Sequence, residues 1–93
     1  MLQVTERALD ILEELRDASQ AGDGEGILLY RETDGSLNLA VATPGAGDQI
    51  FSRDGRVIII VSEDLSQPLD GLVLDFVEGA DGGGLMFERR QPA

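Results

Sequence analysis

The sequence predicts an α+β fold: one N-terminal helix, two small packed β-sheets and one short helix between strands. Three observations carry this. Apolar residues recur every three or four positions near the N-terminus, at Ala8, Ile11, Leu12, Leu15 and Ala18, which is the stripe of an amphipathic helix. Beyond Gly26 the period becomes two, in short runs separated by glycine, aspartate and proline, as in strands joined by turns. One run, Val57 to Val61, is apolar at every position, so both its faces want cover and it belongs at the centre of a sheet.

The helix is expected from about residue 5 to about 19. Thr5 is placed to cap it, Val4 and Leu9 to form a hydrophobic staple across the cap, and Glu6 to meet the positive end of the dipole. Glu13 and Arg16 are spaced to pair along the helix surface. The glycines between Gly22 and Gly26 cannot continue it. Ile27 to Arg31 and Ser36 to Ala42 then flank Asp34-Gly35, a tight hairpin turn. In the second of these strands Leu37, Leu39 and Val41 share a face, which makes a half-buried antiparallel pair; Tyr30 reads as a half-buried strand residue.

A loop with Pro44, Gly45 and Gly47 leads to a second hairpin, Gln49 to Arg53 and Arg56 to Val61 around Asp54-Gly55. Ser62 can cap a short helix with Glu63 and Asp64 at its positive end, and Pro68 ends it. Leu65 and Leu69 are four apart and can pack inward. Residues 72 to 77 alternate again, Leu72, Leu74 and Phe76 against Val73, Asp75 and Val77, with Asp75 expected on a solvated strand face. A turn from Gly79 to Gly84, with Gly82-Gly83-Gly84 read as a flexible turn, returns the chain into Leu85 to Glu88. Arg89, Arg90 and the last three residues carry no pattern and are expected to fray.

Ninety-three residues read as a single domain, 1–93, with one core. A chain of this size buries roughly two-thirds of the surface its unfolded form exposes. With 42% apolar and 4% aromatic residues, that core is built from Leu, Ile and Val. The longest apolar run is the five residues of Val57 to Val61, against the roughly 20 needed to span a bilayer, and no basic segment followed by an apolar one opens the chain. The reading is a cytoplasmic protein.

Eighteen acidic residues against seven arginines, with no lysine, give a net charge of −11. Binding to nucleic acid draws on a basic surface that releases phosphate counterions, so neither nucleic acid nor an anionic membrane is an expected partner. Solubility, with adaptation to high salt, accounts for the acidity more simply than a basic partner or a bound cation, and a high-salt proteome or a G+C-rich genome would favour arginine over lysine.

The catalytic inventory is thin. There is no cysteine and no histidine, so neither a Ser-His-Asp triad nor a Cys-His pair can be assembled. Without lysine there is neither a P-loop nor a Schiff base. Gly22-Asp23-Gly24-Glu25-Gly26 has the wrong spacing for a nucleotide loop and puts acids where phosphates would lie. Five aspartates, Asp34, Asp54, Asp70, Asp75 and Asp81, are the candidates for a hard cation. Four of the five precede glycine, as turn chemistry alone requires, and no segment has the EF-hand spacing. No catalytic, cofactor-binding or metal-ligating residue is therefore assigned.

The order from Asp54 to Phe87 resembles the C-terminal half of the A-type iron–sulfur carriers, the HesB/IscA-like family. The residues that carry the likeness are the Asp54-Gly55 turn, the run to Val61, Ser62-Glu63-Asp64-Leu65, the segment Leu69-Asp70-Gly71-Leu72-Val73-Leu74-Asp75-Phe76-Val77, and Leu85-Met86-Phe87. The opening Val4-Thr5-Glu6-Arg7-Ala8 is similar to the family's capped first helix. The resemblance implies a HesB-like domain. It also implies cluster or iron binding through three cysteines, one in a glycine-flanked loop between the first two hairpin strands and two in a Cys-Gly-Cys tail beyond the last strand. The corresponding places here are Thr33-Asp34-Gly35-Ser36 and Arg89-Arg90-Gln91-Pro92-Ala93, and neither holds a thiol. The resemblance without its ligands implies a divergent, cysteine-free, non-enzymatic scaffold with no cofactor of its own. Such a scaffold is expected to pair with itself as a homodimer, or with a protein partner in iron–sulfur metabolism, through a sheet edge or face. The alternative is a carboxylate-based site for a divalent cation or iron.

Overall fold

The computed structural model describes residues 2–65, 67–79 and 82–89. In chain order the elements are β1 (Gln3–Val4), α1 (Glu6–Ala18), β2 (Gly26–Arg31), β3 (Leu37–Ala42), β4 (Gln49–Arg53), β5 (Arg56–Val61), a 3-10 turn (Glu63–Leu65), β6 (Leu72–Gly79) and β7 (Gly82–Arg89). They form a four-stranded sheet in the order β3-β2-β5-β4 and a three-stranded sheet in the order β1-β6-β7. The larger sheet consists of two antiparallel hairpins joined by the parallel pair β2–β5, in which Ile27 faces Ile59 and Leu29 faces Val61. In the smaller sheet β6 and β7 run antiparallel over their whole length, and β1 lies parallel to β6.

Each turn type follows from its residues. Between β2 and β3 a three-residue loop closes with the Gly35 N–H donating to the Glu32 carbonyl at 2.9 Å and the Glu32 N–H to the Ser36 carbonyl at 2.8 Å. Gly35 takes φ +91°, the left-handed position this loop demands. Between β4 and β5, Asp54 and Gly55 both have positive φ, +54° and +78°, giving the two-residue turn whose twist matches the strands.

Helix α1 begins as expected, with the Thr5 hydroxyl accepting from the Ala8 N–H at 3.2 Å. Its buried stripe differs from the sequence reading. Ala8 and Leu12 enter the core, Leu15 is 43% exposed, and the third buried position is Arg16. Residues 8, 12 and 16 rise one above the other on a single face, and the guanidinium is accommodated because backbone carbonyls meet it there.

The two sheets and the helix enclose one core. Leu2, Ala8, Leu12, Ile27, Leu29, Ile58, Ile59, Val61, Leu65, Leu69 and Leu74 are buried in it, with Phe51, Phe76 and Phe87 among those packed against it. Each buried Leu or Ile contributes about 2 kcal/mol relative to exposure. All four residues Ile58 to Val61 are at most 1% exposed, which bears out the central placing of β5.

One strand was not anticipated and two expectations are corrected. Strand β1 has no sequence signal at two residues, yet it adds an edge to β6, and the Thr5 N–H continues it by donating to the Leu74 carbonyl at 3.0 Å. Gly82, Gly83 and Gly84 are not a turn but the start of β7, paired with Gly79, Glu78 and Val77. Arg89 does not fray: it ends β7 opposite Leu72. The expected fraying of residues 90–93, the tip of the β6–β7 turn and Asp81 lie outside the described residues.

Candidate functional site

The β2–β3 turn is the place where the family resemblance puts a ligand, and here its polar groups are consumed locally. The Asp34 carboxylate accepts the Ser36 N–H at 2.9 Å and the Ser36 hydroxyl at 2.7 Å. These two donors, the backbone one foremost, hold its pKa below the ordinary carboxylate value. An anion so engaged stabilises its own loop and has no proton to give.

The other candidate aspartates are also scattered into structural roles. Asp54 occupies the β4–β5 turn with φ +54°, and Asp70 lies in the turn before β6, its N–H donating to the Gln67 carbonyl at 3.1 Å. Asp75 departs from the solvated role expected of it. Its carboxylate accepts the Thr5 hydroxyl at 2.7 Å and the Phe76 N–H at 2.8 Å, because β6 passes directly beneath the start of α1. The Thr5 hydroxyl is the main cause of its lowered pKa, followed by the Phe76 N–H. Thr5 therefore joins α1 to β6, receiving from Ala8 and donating to Asp75. Among the described residues, no three histidine, cysteine, aspartate or glutamate side chains gather to hold a metal ion.

The largest charged assembly among the described residues was missed by sequence reasoning. Glu6, Asp10, Glu13 and Asp17 line one face of α1, opposite two arginines of the β4–β5 hairpin. Arg53 meets Asp10 at 2.5 Å, Glu13 at 3.0 Å and Glu6 at 3.4 Å, and Arg56 meets Glu13 at 2.6 Å and Asp17 at 3.2 Å. Asp10 is the main cause that raises the Arg53 pKa. The expected Glu13–Arg16 pair does not form, since Glu13 turns to the hairpin and Arg16 turns inward. The signal lay in the sequence: acids at 6, 10, 13 and 17 keep the helical spacing, and the two arginines bracket Asp54-Gly55. This assembly clamps the helix to the hairpin, and each of its four acids already meets a guanidinium.

What remains open is apolar. The four-stranded sheet extends beyond the three-stranded one, so the core-facing side chains of β3 overhang it. Leu37, Leu39 and Val41 lie in register with Arg31, Leu29 and Ile27 and still expose 38–39% each, more than the half-burial expected. Beneath the overhang is a groove of about 330 Å³ walled by Leu29, Leu37 and Leu39 on one side and Leu74, Leu85 and Phe87 on the other. Tyr30 is half-buried as expected, and the neighbouring Glu32 raises its pKa.

No protein-family model matches this chain, and no curated protein matches it. Solved structures share its fold. SufA of Escherichia coli, described as involved in the biosynthesis of iron–sulfur clusters, superposes with a TM-score of 0.70 at 23% identity, over 95% of this chain and 84% of that one. IscA, solved with a [2Fe-2S] cluster, gives 0.61 at 23% identity over 96% and 85%. A protein from Aquifex aeolicus, solved by NMR in solution, gives 0.61 at 19% identity over 98% and 91%. The fold anticipated from the sequence, a helix with two small packed sheets of HesB/IscA-like type, is the fold found. No helix of the described residues is long and apolar enough to cross a membrane.

Proposed function

We propose that this chain is a non-enzymatic scaffold of the HesB/IscA-like fold that holds no iron–sulfur cluster by itself and serves as an association or regulatory partner in iron–sulfur metabolism. One observation carries the reading: the fold of SufA and IscA is combined with 93 residues that contain neither cysteine nor histidine. Iron–sulfur clusters are held by soft thiolates, with imidazole as the occasional substitute. The residues present do not fit the cluster. The turn where a thiolate would be expected is closed by Asp34 and Ser36 instead. The remaining asset is surface, and the groove beside β3 is an apolar part of it.

The test has two arms. The purified protein, incubated anaerobically with ferrous iron and sulfide and then desalted, is expected to retain no visible cluster absorbance; a retained stoichiometric cluster overturns the first half. A cysteine-bearing carrier loaded with a [2Fe-2S] cluster is then allowed to transfer it to an apo-acceptor with and without an equimolar amount of this protein. A changed transfer rate is expected. An unchanged rate together with no complex between the two proteins overturns the second half.

A further inference from the structure

We propose that β3 is a pairing edge for a second copy of this chain, joining the two four-stranded sheets antiparallel across a two-fold axis at Leu39. The proposal names the partner for an association role but stands on the geometry of the strand, without iron–sulfur chemistry.

The sheet edges differ in how they are guarded. Edge strands avoid unwanted pairing by being short, bulged or charged. Strand β1 has two residues. Strand β4 carries a bulge between Phe51 and Ser52, and its Arg53 is tied to α1. Strand β7 opens with three glycines and ends in Glu88 and Arg89. Strand β3, Leu-Asn-Leu-Ala-Val-Ala, has six residues in unbroken register with β2 and no charge, proline or glycine. In a chain where 27% of residues are charged, that neutrality is local and continuous.

The hydrogen-bond phase of β3 fits self-pairing. The Glu32 N–H donates to the Ser36 carbonyl, so the residues bonded to β2 are next Asn38 and then Ala40, two apart. Leu37, Leu39 and Val41 therefore direct both backbone N–H and C=O away from β2, toward the free edge. These are also the residues whose side chains face the core side. A two-fold at Leu39 sets Leu39 against itself and Leu37 against Val41 of the second copy. Every outward backbone group of the three residues then finds a partner, and apolar side chains meet apolar ones across the joint.

The same register brings the overhanging leucines of the second copy to the mouth of the groove walled by Leu85 and Phe87. This adds the apolar area that a six-residue edge alone would lack against the roughly 1,200–2,000 Å² of a stable interface. A foreign partner of so acidic a chain would be selected by charge, and this strand offers none. Repulsion between two chains of net charge −11 acts at longer range and is screened by salt, so the pairing tightens as salt rises.

Because the chain has no cysteine, a disulfide formed by a single introduced thiol can only join two copies. Facing residues of a hydrogen-bonded antiparallel pair have Cα atoms about 5.5 Å apart, within the range a disulfide spans. Leu39→Cys is expected to cross-link to a dimer with oxidised glutathione, whereas Ile50→Cys, at a 46% exposed position on β4, is not. By sedimentation the wild type is expected to be a dimer, and Leu39→Lys, which opposes two ammonium groups at the axis, to dissociate at least about tenfold more readily. Circular dichroism establishes that the variants fold, and if Leu39→Lys does not, the cross-linking pair decides. A wild type that stays monomeric at high concentration and high salt, or equal cross-linking of the two cysteine variants, overturns the proposal. Neither result touches the cluster-transfer test above, so the two readings fail separately.

Discussion

Replacing Arg16 with methionine is expected to destabilise the fold by about 3 kcal/mol. The side chain is 1% exposed. Its Nε–H donates to the Glu25 carbonyl at 3.1 Å, one terminal nitrogen donates to the same carbonyl at 2.9 Å and to the Gly22 carbonyl, and the other meets Asp17 at 2.7 Å. Hydrogen bonds to charged groups contribute about 1.5–3 kcal/mol each, and breaking a buried charged network costs about 3–5 kcal/mol. Methionine fills most of the vacated volume, and the carbonyls of the largely exposed loop after α1 regain water, so the lower end applies. Arg16→Lys keeps the charge but lacks the planar fork that spans these acceptors, and is expected to lose about half as much. Urea unfolding followed by far-UV circular dichroism measures both, as a fall in midpoint at constant slope; for a domain of this size ~3 kcal/mol is roughly 12–24 °C in Tm. If Arg16→Met lies within about 0.5 kcal/mol of the wild type, the ordinary range for surface substitutions, or Arg16→Lys equals the wild type, the loop is not held by this guanidinium.

Gly26→Ala is expected to cost about 1–3 kcal/mol in thermal unfolding, because its Cβ would lie 2.8 Å from Val57 Cγ1 and 3.0 Å from the Ile58 carbonyl oxygen, forcing β2 and β5 apart. Gln20→Gly is expected to stabilise by about 1 kcal/mol, since Gln20 holds φ +60° after the helix, a conformation that costs a side chain about that much; a Tm below wild type counts against it. The lowered pKa of Asp75 means that its contribution is complete above its ordinary value near 3.8 and is lost as pH falls through the folded value. The stability difference between wild type and Asp75→Asn, measured by urea titration, is expected to be constant at neutral pH and to shrink in that acid range; a difference that grows there refutes the assignment. Chelation with EDTA is expected to leave Tm unchanged, since no described cluster can hold a metal ion and a bound ion would stabilise by mass action; a fall in Tm reverses this.

Most of the strands were legible because turn chemistry punctuates them. Asp34-Gly35 and Asp54-Gly55 place both hairpins, and Val57 to Val61 identifies the central strand. The misses share one cause: a side chain or strand whose role is set by a distant segment. Arg16 reads as a surface charge because the carbonyls that bury it belong to Gly22 and Glu25. Strand β1 exists only because β6 lies beside it. The glycines at 82–84 read as a turn by composition, and only their pairing with residues 77–79 makes them strand. At the candidate site, the sequence showed that neither thiol nor imidazole is present but not how the polar groups there are arranged. The local closure of Asp34 on Ser36 follows from side-chain spacing and could have been read, whereas the overhang of β3 depends on one sheet being narrower than the other, a property no single segment carries.

That overhang also bears on what holds the fold together. A structural metal site supplies folding energy outright, and among the described residues no side chains gather to hold one, so the stability described here comes from packing and from ties between elements. Here the core draws on α1 and both sheets, and α1 is fastened at three separate places: Thr5 to Asp75, the acids at 6, 10, 13 and 17 to Arg53 and Arg56, and Arg16 to the loop after the helix. None of these fastenings involves the β2–β3 turn, which satisfies its own polar groups. The end of the molecule around β3 thus contributes little to holding α1 in place. Selection for stability does not require a ligand at the turn or polar residues on the strand beside it, which leaves that edge available to another chain.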